Sequence, residues 1–324
     1  MKSSLIFASV VVTSLIGHAN IYAQTTDFPS KPIRIIVPFG NGSGSDTNAR
    51  YYADKMGALL GQPVIVENKP GADATIGMMA AKAAPADGYT LVQGGISPSV
   101  VNAVVIPELG YDPVRDFIPI LGYGRNMNVI VVPINSKYHT FSELVAAGQQ
   151  TTEALTVGTF STTLSLSAAW LGNLTQSKMI NVPYKGQSQV MNDLMGNHLD
   201  FALIDLGGAA MLIREKKLRA LAVTGEYRFT DFPDIPTVKE SGFPEYVLYS
   251  WNALFVRAET PEKIRSVLAE AVKRVMTSEE TINTLHKPRG TEPLPITASQ
   301  LQTIQIEEIE RFRSIAKTVN FSHK

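Results

Sequence analysis

Residues 33–50 indicate the fold of this chain most directly and read Ile-Arg-Ile-Ile-Val-Pro-Phe-Gly-Asn-Gly-Ser-Gly-Ser-Asp-Thr-Asn-Ala-Arg. The β-branched run 33–37 is typical of a strand in a sheet that is covered on both faces. Glycines follow at positions 40, 42 and 44, where they allow a sharp turn and let a ligand approach the main chain. Ser45 or Asp46 is predicted to cap a helix that ends near Gly61. The stretch therefore predicts a strand, a glycine-rich loop and a helix.

The start of this helix is a suitable site for an anion, because its first backbone N–H groups lack an intrahelical acceptor and carry partial positive charge. The glycines do not match the Gly-x-Gly-x-x-Gly spacing of dinucleotide sites, and no P-loop lysine follows them. An ordinary capped turn between strand and helix is the alternative interpretation, and in it Asp46 serves the loop rather than a ligand.

Strands and helices alternate along the chain, which indicates an α/β fold with mainly parallel sheets. A loop rich in glycine and serine, residues 94–99 (loop 2), follows the third predicted strand and is expected near the first glycine-rich loop, residues 39–47 (loop 1). A hydroxyl-rich loop, residues 159–163 (loop 3), has the same place in a second alternating unit. Apolar segments at 118–132 and 246–256 are predicted to cross between the two units.

Composition narrows the class of protein. The chain has 324 residues, 44% of them hydrophobic and 18% charged, which suffices for two globular domains. Its formal net charge is zero, and this argues against a nucleic-acid partner, because phosphate binding needs clustered Lys and Arg. The absence of cysteine excludes disulfides and lipid attachment through a Cys.

The N-terminus has the pattern of a secretory signal peptide over residues 1–23. Lys2 provides a positive start, an apolar run follows, and Ile21-Tyr22-Ala23 is a plausible cleavage site. The apolar run is shorter than the roughly 20 residues of a spanning helix. We therefore expect an exported, periplasmic protein without a lipid anchor.

An exported α/β protein could also be a hydrolase, but the chain lacks the Gly-x-Ser-x-Gly elbow of that class. The histidines that follow the predicted signal peptide have no His-Glu-x-x-His spacing, and there is no cysteine to act with them. We predict neither an enzyme nor a bound metal or cofactor.

Six motifs carry a resemblance to a known family. They are Phe28-Pro-Ser-Lys-Pro-Ile-Arg-Ile-Ile-Val-Pro-Phe-Gly40 and Gly61-Gln-Pro-Val-Ile-Val-Glu-Asn-Lys-Pro-Gly71, followed by shorter runs at 84–91, 182–186, 218–224 and 233–238. From Phe28 to about Val319 the chain resembles the solute receptors of tripartite tricarboxylate transporters, the Bug receptors. Each motif alone is weak, but all six occur in the order of the family.

The resemblance implies a two-lobed periplasmic binding protein of type II-like fold, in which each lobe is a mainly parallel sheet flanked by helices and two crossing strands form the hinge. The expected domains are lobe 1 at 24–126 plus 247–324 and lobe 2 at 127–246. The receptor would close on a small carboxylate, namely a di- or tricarboxylate, an aromatic acid or an acidic amino acid. It would deliver this ligand to a membrane permease, and we expect a monomer. A sensor that signals to a membrane partner through the same closure is an alternative.

Family members hold the carboxylate with backbone amides and hydroxyls, without a fixed cation. Asp205 matches the acidic residue of the family at the end of a strand in the second domain. The predicted ligand-binding residues are Phe39, Gly40, Gly42, Ser43, Gly44, Ser45, Asp46, Gly95, Ser97, Thr159, Phe160, Ser161, Thr162, Thr163 and Asp205.

Several positions depart from the family pattern. Ser43 replaces the usual glycine, and Phe160 lies in a loop that usually has small residues, where it would either narrow the pocket or join the core. Residues 206–208, Leu-Gly-Gly, replace Asn-Leu-Pro and predict a looser loop after Asp205. Arg125 lies near the predicted crossing, and we favour a surface position for it over a contact with a second carboxylate.

Overall fold

The computed structural model of the protein describes residues 28–150 and 153–321, so the predicted signal peptide lies outside the described residues. Strands and helices alternate as the sequence predicts. The strands are β1 (Ile33–Val37), β2 (Val64–Asn68), β3 (Thr90–Gly95), β4 (Phe117–Pro133), β5 (Leu155–Thr159), β6 (Met179–Pro183), β7 (Phe201–Asp205), β8 (Leu218–Val223), β9 (Tyr249–Arg257) and β10 (Thr291–Glu292).

The α-helices are α1 (Gly44–Leu60), α2 (Thr75–Lys82), α3 (Asn102–Val105), α4 (Phe141–Gln150), α5 (Thr162–Thr175), α6 (Gln187–Met195), α7 (Leu206–Arg214), α8 (Glu262–Met276), α9 (Glu279–Thr281) and α10 (Ala298–Thr318). Short π-helical segments at Ser97–Val101 and Ile282–His286 and a 3-10 turn at Lys287–Arg289 complete the helical structure.

The strands form one continuous mixed sheet in the order β2-β1-β3-β9-β4-β7-β5-β6, and β8 and β10 also pair with β4. Strands β1, β2 and β3 run parallel to each other, as do β5, β6 and β7. The long strands β4 and β9 run antiparallel to their neighbours and lie between the two parallel groups. We call the β1–β3 side lobe 1 and the β5–β8 side lobe 2.

Strand β4 belongs to both lobes. Its first part pairs with β9 as far as Met127, and from Asn128 onward it pairs with β7. Register shifts interrupt the β4–β9 ladder at 119–121 and 122–124, and the second of them lies at the two glycines of this strand. The predicted crossing segment is therefore one 17-residue strand, which carries the chain from one lobe to the other.

Apolar side chains cover both faces of the lobe 1 sheet. On one face, Ile33 and Ile35 of β1 pack with Tyr52 and Met56 of α1 and with Leu268 of α8, all of them fully buried. The isoleucine run predicts this burial, because a strand covered on both sides has no polar face.

Helix α10 joins the two lobes. It begins with a capping box between Thr297 and Gln300, and its Leu301 and Phe312 are fully buried. The guanidinium of Arg311 donates to the carbonyl of Val247 at 3.0 Å and lies over the ring of a lobe 2 tryptophan. The sequence placed this helix on the first lobe, and the structure adds a contact with α5 of the second.

Within the described residues no helix is both long and apolar enough to cross a membrane.

Candidate functional site

Loop 1 connects β1 to α1, and its cap differs from the prediction. The side chain of Ser43, not of Ser45 or Asp46, caps the helix by accepting a hydrogen bond from the N–H of Asp46 at 3.1 Å. The helix begins at Gly44, two residues earlier than a cap at Ser45 requires, so the N-cap position falls on Ser43. This serine is one of the departures from the family pattern.

The carboxylate of Asp46 points back into its own loop. It accepts hydrogen bonds from the N–H of Gly42 at 2.9 Å and from the side-chain amide of Asn68 at 2.8 Å, and Arg50 Nε lies 3.1 Å away. Burial alone would raise the pKa of Asp46, but these three donors outweigh it and lower the pKa. Asn68 also donates to the carbonyl of Phe39, so it holds both ends of loop 1.

The remaining surface of loop 1 is open. A β-carbon added at Gly40, Gly42 or Gly44 would meet no atom within 4 Å, and Gly42 has a positive φ of 77°. The N–H groups of Gly44 and Ser45, at the first two helical positions, lack intrahelical acceptors. Loop 1 can therefore present backbone donors to a molecule that lies against it.

Loop 3 repeats this arrangement on lobe 2. Ser161 caps α5 by accepting from the N–H of Leu164 at 3.2 Å, and Thr162 and Thr163 occupy the first helical positions. The hydroxyl of Thr159 is fully buried and donates to the amide oxygen of Asn181 at 2.7 Å, while Ser165 lies 2.9 Å from the same hydroxyl. The side chain of Thr159 therefore supports the loop from within.

Loop 2 meets loop 3 directly. The hydroxyls of Ser97 and Thr163 lie 2.8 Å apart and form a hydrogen bond between lobe 1 and lobe 2. A β-carbon added at Gly95 would lie 2.9 Å from the carbonyl oxygen of Trp251, so this glycine is explained by the close packing of β3 on β9. The hydroxyl-bearing loops of the two lobes thus face each other across the crossing strands.

Phe160 is partly buried and packs against two of the three hydrophobic clusters. It therefore contributes to the core of lobe 2, and this contact accounts for the aromatic residue in a loop of otherwise polar side chains.

Asp205 ends β7 and lies beside the crossing strand β4. Its carboxylate accepts a hydrogen bond from the amide of Asn126 at 3.3 Å, and its backbone carbonyl accepts from Gln187 at 2.9 Å. Burial raises the pKa of Asp205 to about 6, and the hydrogen bond from Asn126 only partly opposes this shift. The residue carries a carboxyl group that is costly to ionise.

The prediction of a looser loop after Asp205 is wrong. Residues 206–208 form the first turn of α7, and a β-carbon at Gly207 would lie 1.8 Å from the carbonyl oxygen of Arg289. The glycine permits a close approach of the 3-10 turn to α7, which a larger residue would prevent. The two lobes are therefore in backbone contact at this point.

Arg125 is engaged with protein groups from both sides of the crossing. Its Nε lies 2.9 Å from the carboxylate of Glu292, its other end donates to the hydroxyl of Tyr227, and its guanidinium stacks on the ring of Tyr249. The side chain is 31% exposed. These contacts with protein groups explain why an arginine occurs at position 125 without invoking a ligand.

The histidines of the described chain do not belong to a group that could hold a metal ion. Within residues 28–150 and 153–321, no three His, Cys, Asp or Glu side chains come close enough to hold a metal ion. His286 is buried against β4, and burial lowers its pKa to about 4.

A surface groove of about 760 Å³ lies between residues 106–116 and α10, but none of its lining residues belongs to the three loops. The candidate site is therefore identified by the hydrogen-bond donors and contacts of the three loops, and this groove is separate from it.

Sequence reasoning missed three residues that shape the site. Asn68 holds loop 1, Asn181 holds loop 3, and Arg289 lies where the lobes touch. The first two could have been found, because each lies on the strand that neighbours its loop in a parallel unit. Arg289 carries no such signal, because it lies far along the chain from both elements that it contacts.

Comparison with known proteins agrees with this architecture. The family model described as "Tripartite tricarboxylate transporter family receptor" (TctC) matches residues 48–321. An Agrobacterium vitis protein encoded in the ttuE-ttuC' intergenic region is 34% identical over 272 residues, which cover 83% of this chain and 78% of the relative. BugT of Bordetella pertussis is 29% identical over 95% of each chain.

Solved structures of similar proteins cover nearly the whole described chain. A protein of R. palustris with adipate has a TM-score of 0.84 at 28% identity and covers 91% of this chain and 99% of its own. MatC of Rhodopseudomonas palustris with bound malate has a TM-score of 0.80 at 26% identity and covers 89% and 99%. The periplasmic binding protein BugD has a TM-score of 0.81 at 25% identity and covers 92% and 100%.

The fold is the two-lobed fold of these periplasmic binding proteins, and the matched family model spans most of the chain. The chain therefore belongs to the tripartite tricarboxylate transporter receptor family, which includes the Bug proteins.

Proposed function

We propose that this protein is a periplasmic receptor that binds a small carboxylate between its lobes and delivers it to the permease of a tripartite tricarboxylate transporter. The observation that carries the proposal is the 2.8 Å hydrogen bond between Ser97 and Thr163. This bond joins loop 2 of lobe 1 to loop 3 of lobe 2, which supports a ligand site between the lobes.

The donors of these loops suit an organic anion. Loops 1 and 3 each begin a helix behind a serine cap and leave N–H groups free at the helix start, one set on each lobe. The bound adipate and malate of the two R. palustris proteins support the same ligand class. A di- or tricarboxylate, an aromatic acid or an acidic amino acid is the proposed ligand.

Closure of the lobes would select the bound state. In an open form only one set of donors contacts the ligand, whereas in the closed form both sets do. The ligand therefore binds the closed form more tightly than the open form, and this difference stabilises closure. The change of partner along β4, from β9 at Met127 to β7 at Asn128, supports lobe boundaries at 24–126 plus 247–324 and 127–246.

Export through a signal peptide at residues 1–23 and a monomeric state remain part of the proposal. The same closure could serve a sensor, and a hydrolase is the third possibility for an exported α/β protein.

A thermal-shift screen of the purified chain tests the proposed ligand class. The panel contains succinate, adipate, malate, benzoate and aspartate, with glucose and potassium chloride as non-carboxylate controls. We expect at least one acid to stabilise the protein, by about 2.7 kcal/mol when its concentration is a hundred times Kd.

Stabilisation by glucose or by the salt, with no response to any acid, would show that the ligand class is wrong. Turnover of simple esters or amides, abolished by a single Ser or His substitution, would instead favour the hydrolase.

A further inference from the structure

Arg289 lies where the two lobes meet. Its backbone carbonyl packs on Gly207 in the first turn of α7 on lobe 2, and its guanidinium reaches α1 of lobe 1, where Nη1 donates to the amide oxygen of Asn48 at 3.3 Å. Asn48 is one helical turn beyond Gly44, whose N–H is among the free donors of loop 1. Arg289 therefore lies between the start of α1, which follows loop 1, and the start of α7, which follows Asp205.

The charge of Arg289 is not balanced within the described residues. Asn48 provides its one side-chain hydrogen bond there, and no carboxylate lies within salt-bridge distance. Most arginines among the described residues do have a carboxylate partner there, such as Glu67 for Arg34 and Glu240 for Arg228.

Two other arginines without a carboxylate partner differ in their surroundings. Arg219 donates to backbone carbonyls of residues 134, 136 and 138, and Arg274 is exposed to solvent. Arg289 is half-buried, and among the described residues its guanidinium has neither a set of carbonyl acceptors, as Arg219 has, nor the solvent exposure of Arg274. Burial lowers the pKa of Arg289.

A half-buried guanidinium without a counter-charge is unfavourable unless an anion joins it, and its planar fork suits a carboxylate. The carbonyl and amide groups that surround Arg289 cannot neutralise it. An acidic group of a ligand held by loops 1 and 3 could.

We propose that Arg289 binds a second acidic group of the ligand, so that the receptor selects dicarboxylates over monocarboxylates of the same length. This inference rests on the proposed function and adds a specificity-determining residue to it. Loops 1 and 3 hold one carboxylate with neutral donors, and Arg289 holds the other with a charge. The contact of its backbone with Gly207 ties the position of the cation to the closure of the lobes.

The test compares each diacid with its monomethyl ester. Isothermal titration of wild type, Arg289→Gln, Arg289→Lys and Arg274→Gln is carried out with succinate, glutarate, adipate and their monomethyl esters. For the diacid that wild type binds best, Arg289→Gln is expected to weaken binding by about 10-fold to 100-fold, the range of a charge-assisted hydrogen bond. Its affinity for the monoester should change by less than about 2-fold, which is smaller than the effect of one ordinary hydrogen bond.

The control variants separate charge from packing. Arg289→Lys should retain a preference for the diacid, and Arg274→Gln, which removes an exposed arginine, should leave both affinities unchanged. Without ligand, Arg289→Gln should unfold at the same temperature as wild type or at a slightly higher one, because it removes a half-buried charge that has no carboxylate partner and loses one hydrogen bond within the described residues.

Equal loss of diacid and monoester binding in Arg289→Gln, or equal binding of the two by wild type, would overturn the role of Arg289 while leaving the receptor function intact. Failure of wild type to bind any of these acids, together with no response in the acid panel above, would overturn the receptor function and this inference with it.

Discussion

Gly207 lies so close to Arg289 that a β-carbon at position 207 would come within 1.8 Å of the arginine carbonyl oxygen. The added β-carbon is fixed to the backbone of α7 and would clash with the backbone of Arg289, so no rotamer change can relieve the clash. The residue type at position 207 therefore controls how closely the 3-10 turn of lobe 1 approaches α7 of lobe 2.

Replacement of this glycine should separate the two elements. Gly207→Ala is expected to lower the free energy of unfolding by about 1 to 3 kcal/mol, the usual cost of overpacking, and to shift the ligand-free protein toward an open form. Urea unfolding and small-angle X-ray scattering measure the two effects.

Gly208→Ala is the matched control for that variant. The atoms nearest to its added β-carbon belong to the side-chain amide of Gln187, which can move away at the cost of its hydrogen bond to the carbonyl of Asp205. Equal behaviour of the two variants would show that the contact between Gly207 and Arg289 does not limit closure.

Asn68 is expected to be essential for the shape of loop 1. Asn68→Ala removes the donor to both Asp46 and Phe39 and leaves a buried carboxylate short of one partner, at a cost of about 1 to 3 kcal/mol. Ligand affinity should fall as well, because the Asp46 carboxylate, which accepts from the N–H of Gly42, is no longer held in place by Asn68. Thermal unfolding and calorimetric titration test this, with Asn283→Ala as control, since Asn283 is exposed and contacts only Lys287 in the described residues. A comparable loss in the control would contradict the assignment.

The hydrogen bond between Ser97 and Thr163 should contribute to closure. Ser97→Ala and Thr163→Val, measured singly and together, form a double-mutant cycle for ligand binding. We expect a coupling free energy of about 0.5 to 1.5 kcal/mol, as for a neutral hydrogen bond. Additive effects of the two substitutions on binding would mean that the hydrogen bond is equally strong in the free and bound states and does not contribute to ligand-driven closure.

Asp205 should make the protein less stable as the pH rises. Its pKa is about 6 in the folded protein and about 3.9 in an unfolded chain, so between these values the folded state binds the additional proton. Stability from this group is fully present below about pH 4 and is lost as the pH rises through 6. The stability gained by Asp205→Asn relative to wild type should therefore grow from pH 4 to pH 7.5, by up to about 3 kcal/mol. Urea unfolding across this range measures it, and a constant difference would contradict the raised pKa.

His286 should act in the opposite direction. Burial lowers its pKa to about 4, against about 6.5 in an unfolded chain, so the unfolded state binds the additional proton between these values. Stability from the neutral ring is present above pH 6.5 and is lost as the pH falls toward 4. Between pH 7 and pH 4, the free energy of unfolding should therefore fall less in His286→Leu than in wild type. His139→Leu serves as control because that residue is exposed.

Local features of the chain were predictable from its sequence. The isoleucine run 33–37 predicts a fully covered strand, glycines 40, 42 and 44 predict an open loop, and a helix follows until Gly61. The long crossing strands and the opposed hydroxyl loops also agree with the prediction. Burial patterns and turn residues act over a few positions, so a local stretch of sequence is enough to indicate them. The predicted cap at Ser45 or Asp46 lies two or three residues after the observed cap, Ser43, an error of usual size for a predicted helix end.

By itself the sequence determined the alternating strands and helices, the two parallel units, the crossing segments and the family. Only the tertiary structure decided that Asn68 holds loop 1, that Ser97 meets Thr163, and that Arg289 lies between Gly207 and Asn48 with no carboxylate partner among the described residues. Arg289 and Asn48 are 241 positions apart along the chain. Such contacts depend on the order of strands in the sheet, and a local pattern of residues contains no record of that order.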